Sequence, residues 1–342
     1  MEVVVQQAQS LHAVQHPGDV GEARRAAVTR AGELRFDETA RGRVALIVTE
    51  AGTNLIKHAG GGHIILGGTA PSDHARSWIE VLTLDRGPGM RDVAKYMADG
   101  FSTSGTAGHG LGGMRRMSTV FDLHSDATGT VLVSRVFRDP SQLYTGTPWR
   151  VGAVCLPLHG ESFAGDAWAY AWNAERAVFL IADGVGHGRL ARDAAGAVID
   201  VLRRHPELPA PELLQRANLA TRGTRGAAAA VAEVSLKDAC ITYAAIGNTS
   251  ASLLGGDGAS RSMVSHHGVL GASDRLVQPF QYPWNGTGLL VMHSDGLASR
   301  WDIRRYPGLA LRDPSVIAAV MYRDHARARD DVSVIVCRLA TS

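Results

Sequence analysis

The chain has 342 residues, is 45% hydrophobic and 20% charged, and carries a formal net charge of +2. That length exceeds what one hydrophobic core usually fills and implies two domains, while so small a net charge gives no electrostatic footing for nucleic acid or an anionic membrane. Three cysteines, Cys155, Cys240 and Cys337, are too few and too scattered for a disulfide framework or a zinc knuckle, which favours a reducing, cytoplasmic setting. The opening MEVVVQQAQS has an early acid and no basic run, so it does not read as a signal peptide. No apolar run reaches the roughly 18 residues needed to span a bilayer. Arg203-Arg204 and the run from Arg323 to Arg329 read as solvated faces.

In chain order, the pattern predicts a strand over residues 3–14 and a helix over about 19–34. Asp37 is an N-cap for a second helix reaching about residue 58. Within VALIVTEAGTNLIKHAG, Glu50, Asn54 and His58 recur every four residues and so share one helix face. Leu46, Ile47, Leu55 and Ile56 are expected on the adjoining faces, toward a core. Strands follow at 63–67 and 78–84. Asp85 then opens DRGPGM, in which Gly87 and Gly89 permit close backbone approach and unusual dihedrals. The run GTAGHGLGGM, Gly105 to Met114, is a glycine loop feeding a helix at about Gly110, where free amides and the helix dipole favour phosphate. No GK[ST] follows and no strand directly precedes it, so it is neither a Walker loop nor a Rossmann turn. VFDLHS and TVLVSRVF form a hairpin around Ala127 to Gly129. Helices segregated from a mixed sheet imply an α+β sandwich.

The segment RDPSQLYTGTPWR has no periodicity and breaks the chain. It is read as a linker over 141–150, with one domain at 1–140 and another at 151–342. The second half predicts helices at 191–204 and 211–222 and mostly strands from 227 to about 291, again α+β. Four acidic clusters stand at the edges of its apolar runs: Gly165-Asp166, Asp183-Gly184, Ser294-Asp295-Gly296 and Asp330-Asp331. Taken singly, each DG is a turn and each Asp a cap. Together, carboxylates beside buried strands call for neutralisation, and hard oxygen ligands suit Mg or Mn.

The E-x-x-x-N helix, the D-x-G-x-G turn and the later G-x-G-x-G loop resemble the Bergerat-fold ATPases, and within them the anti-sigma-factor and stressosome switch serine/threonine kinases. The resemblance covers roughly residues 1–138 and implies ATP with Mg2+. Asp85 would accept from the adenine amino group with Gly87 and Gly89 at the same turn. Asn54 would help hold Mg2+, and Gly108, Gly110, Leu111 and Gly112 would cradle the phosphates. Glu50 would act as base on a protein hydroxyl. His58 is either a helix-end histidine or a phosphate contact, and His109 a solvent-facing residue of the loop.

The order of acidic clusters from Arg150 onward is similar to the type 2C metal-dependent protein phosphatases, in the bacterial branch related to the sporulation phosphatase SpoIIE. That implies an αββα sandwich after the ATPase sandwich. It also implies a pair of Mn2+ or Mg2+ ions on Asp166, Asp183, Asp295, Asp330 and the Gly184 carbonyl, with Asp183 and Asp295 central to catalysis and Asp331 in reserve. No counterpart of the phosphate-gripping arginine of eukaryotic members is evident. His187 is a general acid, a phosphate neighbour or a loop histidine without catalytic duty, and Glu161 is a further acid near the site. His266 and His267 match no zinc pattern. The combined reading is a partner-switching regulator, kinase and phosphatase in one chain, acting on STAS-domain antagonist proteins of an anti-sigma pathway, with a homodimer compatible. The alternatives are a phosphatase governed by a nucleotide-sensing domain that transfers no phosphate, and an anti-sigma binding module with accessory phosphatase.

Overall fold

Strand β1 (Glu2–Val5) and strand β2 (Ser10–Val14) replace the single opening strand that the pattern predicts, and they belong to different sheets. The computed structural model describes residues 1–5, 8–68, 77–97, 110–142, 147–255, 259–272, 277–284 and 286–339. The chain divides into two units, one made of Met1–Ala8, Gly146–Arg304 and Met321–Ser342, the other of Gln9–Thr145 and Arg305–Val320. Each unit therefore takes in a segment remote in sequence, which alternation and turn signals do not reveal.

In the second of these units, β2 leads into α1 (Pro17–Glu33) and α2 (Glu38–Asn54). Proline at the first position of α1 has the right φ and no amide to leave unpaired, and the Asp19 carboxylate reaches back to accept from His16 N at 2.8 Å. Asp37 caps α2 as expected, accepting from Ala40 N at 2.7 Å. The helix closes in a wider π-turn, Leu55–Ala59, stopped by Gly60 at φ 74°. Then come β3 (Gly62–Gly68), β4 (Trp78–Leu84), α3 (Val93–Met97), α4 (Leu111–Met117), β5 (Val120–Asp126) and β6 (Gly129–Phe137). The strands pair antiparallel in the order β2-β3-β4-β6-β5.

Ala23, Ala27 and Ala31, one turn apart, give α1 a flat stripe against Val44, Ile47 and Val48 of α2 and against Ile64, Leu66, Ile79 and Val81 of the sheet. Each of the fully buried valine, leucine and isoleucine side chains contributes roughly 1.5–3 kcal/mol of transfer free energy. Leu46 departs from expectation: it is 51% exposed, and Val48 and Ala51 take the inward positions.

The first unit holds β7 (Trp149–Leu156), β8 (Asp166–Trp172), β9 (Arg176–Gly184), α5 (Arg189–Arg204), α6 (Ala210–Ala220), β10 (Ala227–Ser235), β11 (Cys240–Ile246), β12 (Ser250–Leu254), β13 (Ser260–Ser262), β14 (Phe280–Pro283), β15 (Leu289–His293) and β16 (Val332–Leu339). They form a six-stranded sheet in the order β1-β8-β9-β10-β11-β14 and a five-stranded sheet in the order β13-β12-β15-β16-β7, with every neighbour antiparallel. Phe179, Ile181 and Tyr243 of the first meet Trp149, Leu290, Met292 and Ile335 of the second, the core of a sandwich. The opposite face of the six-stranded sheet, with Val178, Leu180 and Val231, is covered by Val198 and Leu202 of α5 and Leu213 of α6.

A further helix, α7 (Pro314–His325), was not evident from the pattern. Val316 to Met321 are all buried, so no polar face marks the helical period. Arg323, expected on a solvated face, is 8% exposed and ion-paired with Asp324 at 2.8 Å.

Candidate functional site

A cavity of about 380 Å³ opens in the second unit, lined by Glu50, Asn54 and His58 from the end of α2 and its π-turn, by Asp85 and Gly89 past β4, and by Gly110 and Leu111 at the start of α4. The helix face inferred from four-residue spacing is thus the face that looks into a pocket. Gly87 lies beside it, its N–H donating to Asp85 Oδ1 at 2.9 Å, while Gly112 is the second residue of α4 and does not line the cavity. Gly108 and His109 lie outside the described residues.

Asp85 is fixed before any ligand arrives. Its Oδ1 also accepts from Thr130 N at 3.0 Å, and its own N–H donates to the Thr130 carbonyl at 2.9 Å. The strand partner β6 thereby sets the orientation of the carboxylate. Gly89 sits at φ +66°, and a Cβ there would overlap the Asp126 carbonyl, so the turn requires glycine. Lys57, Thr83, Tyr96, Met114 and Thr130 also line the pocket. Sequence reasoning missed Thr83 and Thr130 because they enter through cross-strand register, not through a motif.

The acids of the first unit come together from four strand ends. Asp166 opens β8 and stands directly opposite Asp183, near the end of β9. Asp295 follows β15 and Asp330 precedes β16. Close backbone approach makes this convergence: a Cβ on Gly184 would overlap the Ala191 carbonyl, and one on Gly296 would overlap the Asp331 carbonyl. The glycine after each of these two aspartates is what lets neighbouring backbone pass.

Two of the acids already serve the scaffold. Asp331 accepts from Leu158 N at 2.7 Å and Gly165 N at 2.8 Å, tying down both ends of the loop after β7. Buried Asp166 accepts from Ser294 Oγ at 2.6 Å, and Ser294 Oγ accepts in turn from Ser333 N at 3.0 Å. Asp295 Oδ2 accepts from Asn248 Nδ2 at 2.6 Å, a partner with no sequence motif to announce it. Asp183 differs: among the described residues its carboxylate has no hydrogen-bond donor. Burial first, then the charges of Asp295, Asp330 and Asp331, push its pKa up to about 7. Burial and Asp183 also raise Asp166 well above the carboxylate range, and burial and Asp295 are among the causes raising Asp330.

Among the described residues no lysine or arginine is ion-paired with any of these four, and no three His, Cys, Asp or Glu side chains already close on one ion. Like-charged carboxylates stay apart until something neutralises them, so the donor set is open, all oxygen and in need of positive charge. That fits hard divalent cations. His187 stands near the cluster, where its charge opposes the rise of Asp330 and Asp331, and its Nδ1 donates to Glu161 Oε1 at 2.6 Å. His266 Nε2 donates to the Gln278 carbonyl at 2.9 Å, and the ring stacks on Phe280.

An α+β sandwich with a pocket between helix and glycine turn, joined to a two-sheet sandwich with an acidic rim, defines a fusion of a kinase-like ATPase domain with a type 2C phosphatase domain. The chain belongs to the first of these families, residues 14–135 matching the histidine kinase-like ATPase domain, and residues 173–340 match stage II sporulation protein E (SpoIIE). The second match begins beyond Asp166. The serine/threonine-protein kinase RsbT of Bacillus subtilis (strain 168) is 36% identical over 109 residues, 32% of this chain and 80% of the kinase. The phosphoserine phosphatase RsbX of the same organism is 24% identical over 142 residues, 42% of this chain and 71% of the phosphatase. The crystal structure of RsbX in complex with magnesium has a TM-score of 0.50 at 23% identity, covering 56% of this chain and 95% of that one, a likeness of fold. Among the described residues no helix is long and apolar enough to cross a membrane, a statement about helices alone.

Proposed function

We propose that the chain is a partner-switching regulator that adds phosphate to, and removes it from, serine or threonine side chains of a protein substrate. The observation that carries the reading is Asp183: half-buried, without a donor, and faced by three other acids. Such a group is stable as a carboxylate only beside a cation. Asp166, Asp183, Asp295, Asp330 and the Gly184 carbonyl would hold two divalent ions, Mn2+ or Mg2+. Bound there, the pair would supply an activated water for attack on the phosphorus of phosphoserine or phosphothreonine. Asp331 and Ser294 keep the surrounding loops in register, and Asn248 holds one oxygen of Asp295 in place.

In the other unit, Asp85 would receive the adenine amino group and Asn54 would share Mg2+ with the ATP phosphates. Glu50 would accept the proton of the attacking hydroxyl. Positioning and charge neutralisation, not a covalent intermediate, carry such a transfer. Kinship with RsbT and RsbX supports a substrate from an anti-sigma pathway, a STAS-domain antagonist. One added phosphate brings close to two negative charges to its binding face, enough to make or break a complex. The test is the full chain with ATP, Mn2+ and such an antagonist, followed by mass spectrometry. Glu50→Ala should lose phosphorylation and keep dephosphorylation, and Asp183→Asn should do the reverse. Loss of both activities in either variant, or of neither, contradicts the assignment.

A further inference from the structure

The acidic rim poses an electrostatic problem that its own residues do not solve. A phosphate dianion approaching Asp183, Asp295 and Asp330 meets three carboxylates, while the nearby Arg327 Nη1 is turned onto the Asp295 carbonyl at 3.2 Å, and bound divalent ions would be largely spent on neutralising those carboxylates. A fixed cation at the rim would therefore aid binding of the phosphoryl group.

The loop between α6 and β10 places one there. Val185 N donates to the Gly226 carbonyl at 3.0 Å, and Ala227 stands opposite Gly184, so Arg225 falls alongside the loop that follows Asp183-Gly184. The guanidinium rests over Gly186: a Cβ on that glycine, which sits at φ +86°, would stand 3.0 Å from Arg225 Nη1. The loop that carries Arg225 is rigidly built. Thr221 is fully buried and its Oγ1 donates to the Ala217 carbonyl at 2.8 Å. Thr224 Oγ1 donates to the Thr221 carbonyl at 2.7 Å and accepts from Gly226 N at 3.0 Å. Yet the Arg225 side chain is exposed and, among the described residues, makes no hydrogen bond or ion pair. A long side chain held on a pinned loop, beside a metal-type acidic site and without a partner of its own, has its donors available for a ligand.

We infer that Arg225 binds the phosphoryl group of the substrate at the acidic site, presenting its paired N–H donors to phosphate oxygens. The inference rests on the phosphatase reading above and supplies a phosphate-binding cation from the α6–β10 loop, which the sequence pattern did not offer. Gly186 has a part in it, since any side chain there would strain the backbone and displace the guanidinium.

The experiment uses the full chain saturated with Mn2+ and two probes, inorganic phosphate and a phosphoserine peptide. Calorimetry should show that Arg225→Gln weakens inorganic phosphate roughly tenfold to a hundredfold, the usual worth of charge-assisted hydrogen bonds. Mn2+ affinity and melting temperature should be unchanged, and Arg225→Lys should recover part of the loss. The KM for the peptide should rise in parallel, with a smaller change in kcat. Unchanged phosphate affinity in Arg225→Gln overturns the inference, as does failure of the wild-type chain to bind phosphate at all. A wild-type chain that binds phosphate through Arg225 but hydrolyses no phosphopeptide would uphold the arginine and sink the phosphatase reading.

Discussion

The two candidate sites both turn on aspartates at strand ends, yet one is prepared for a neutral group and the other for positive charge. In the pocket of the ATPase unit, Asp85 is satisfied by backbone N–H groups from Gly87 and Thr130, and the surrounding space is a cavity of about 380 Å³. In the acidic site, Asp183 has no such donor and three acidic neighbours. A carboxylate held by backbone amides keeps its charge cheaply and can present an acceptor to a neutral ligand. A carboxylate crowded by its own kind either takes up a proton and becomes neutral or needs a metal to stay charged. The number of donors around each aspartate, more than the aspartate itself, separates the proposed base-recognition site from the proposed cation site.

The comparison breaks most sharply under substitution of Asp183. Outer-sphere partners of metal ligands are already worth about ten- to a hundredfold, so Asp183→Asn should lower phosphopeptide hydrolysis by more than about a hundredfold while ATP binding is untouched. Asp85→Ala is the mirror experiment. Loss of an acceptor used by backbone and ligand alike should weaken ATP by roughly ten- to a hundredfold, read by fluorescence competition, with Mn2+ binding unaffected. Were either variant to disturb both ligands equally, the sites would not be independent in the way their construction implies.

Acidity gives a subtler probe. The folded, metal-free protein holds Asp183 at about 7, above the 3.8 of an ordinary aspartate. Between those values the folded state binds the extra proton, so this group's contribution to stability is full below about pH 4 and is lost as pH rises to about 7. Thermal melts of metal-free protein should show that fall, and saturating Mn2+ should remove it. The smallest effect belongs to neither site: Asp37→Ala removes the cap of α2 and should cost about 1 kcal/mol, visible as a drop of a few degrees in Tm with both ligands still bound.

Much of this was legible in the sequence because the informative residues sit at strand and helix ends. The four-residue spacing of Glu50, Asn54 and His58 marked a pocket-facing helix side, and acids at the edges of apolar runs marked the strand termini that converge. What escaped was non-local. Nothing in MEVVV says that β1 will lie beside β8, and nothing in PSVIAAVMY separates a buried helix from a strand. Arg135 looked like one more strand residue. It is buried, with Nε donating to Glu80 at 2.5 Å and its guanidinium paired to Asp313 at 2.9 Å, which recruits Arg305–Val320 to the ATPase sheet. Asn248 and Arg225 lie on loops whose relevance appears only when backbone pairing sets them beside Asp295 and Gly186.

The central claim is that crowded carboxylates around Asp183 are held for divalent metal. Titration of the metal-free chain with Mn2+ by calorimetry at pH 6, 7 and 8 tests it directly. The account predicts binding to the wild type that tightens with rising pH as the proton on Asp183 is displaced, and loss of at least one ion in Asp183→Asn. Equal binding by both proteins, or binding indifferent to pH across this range, would contradict it.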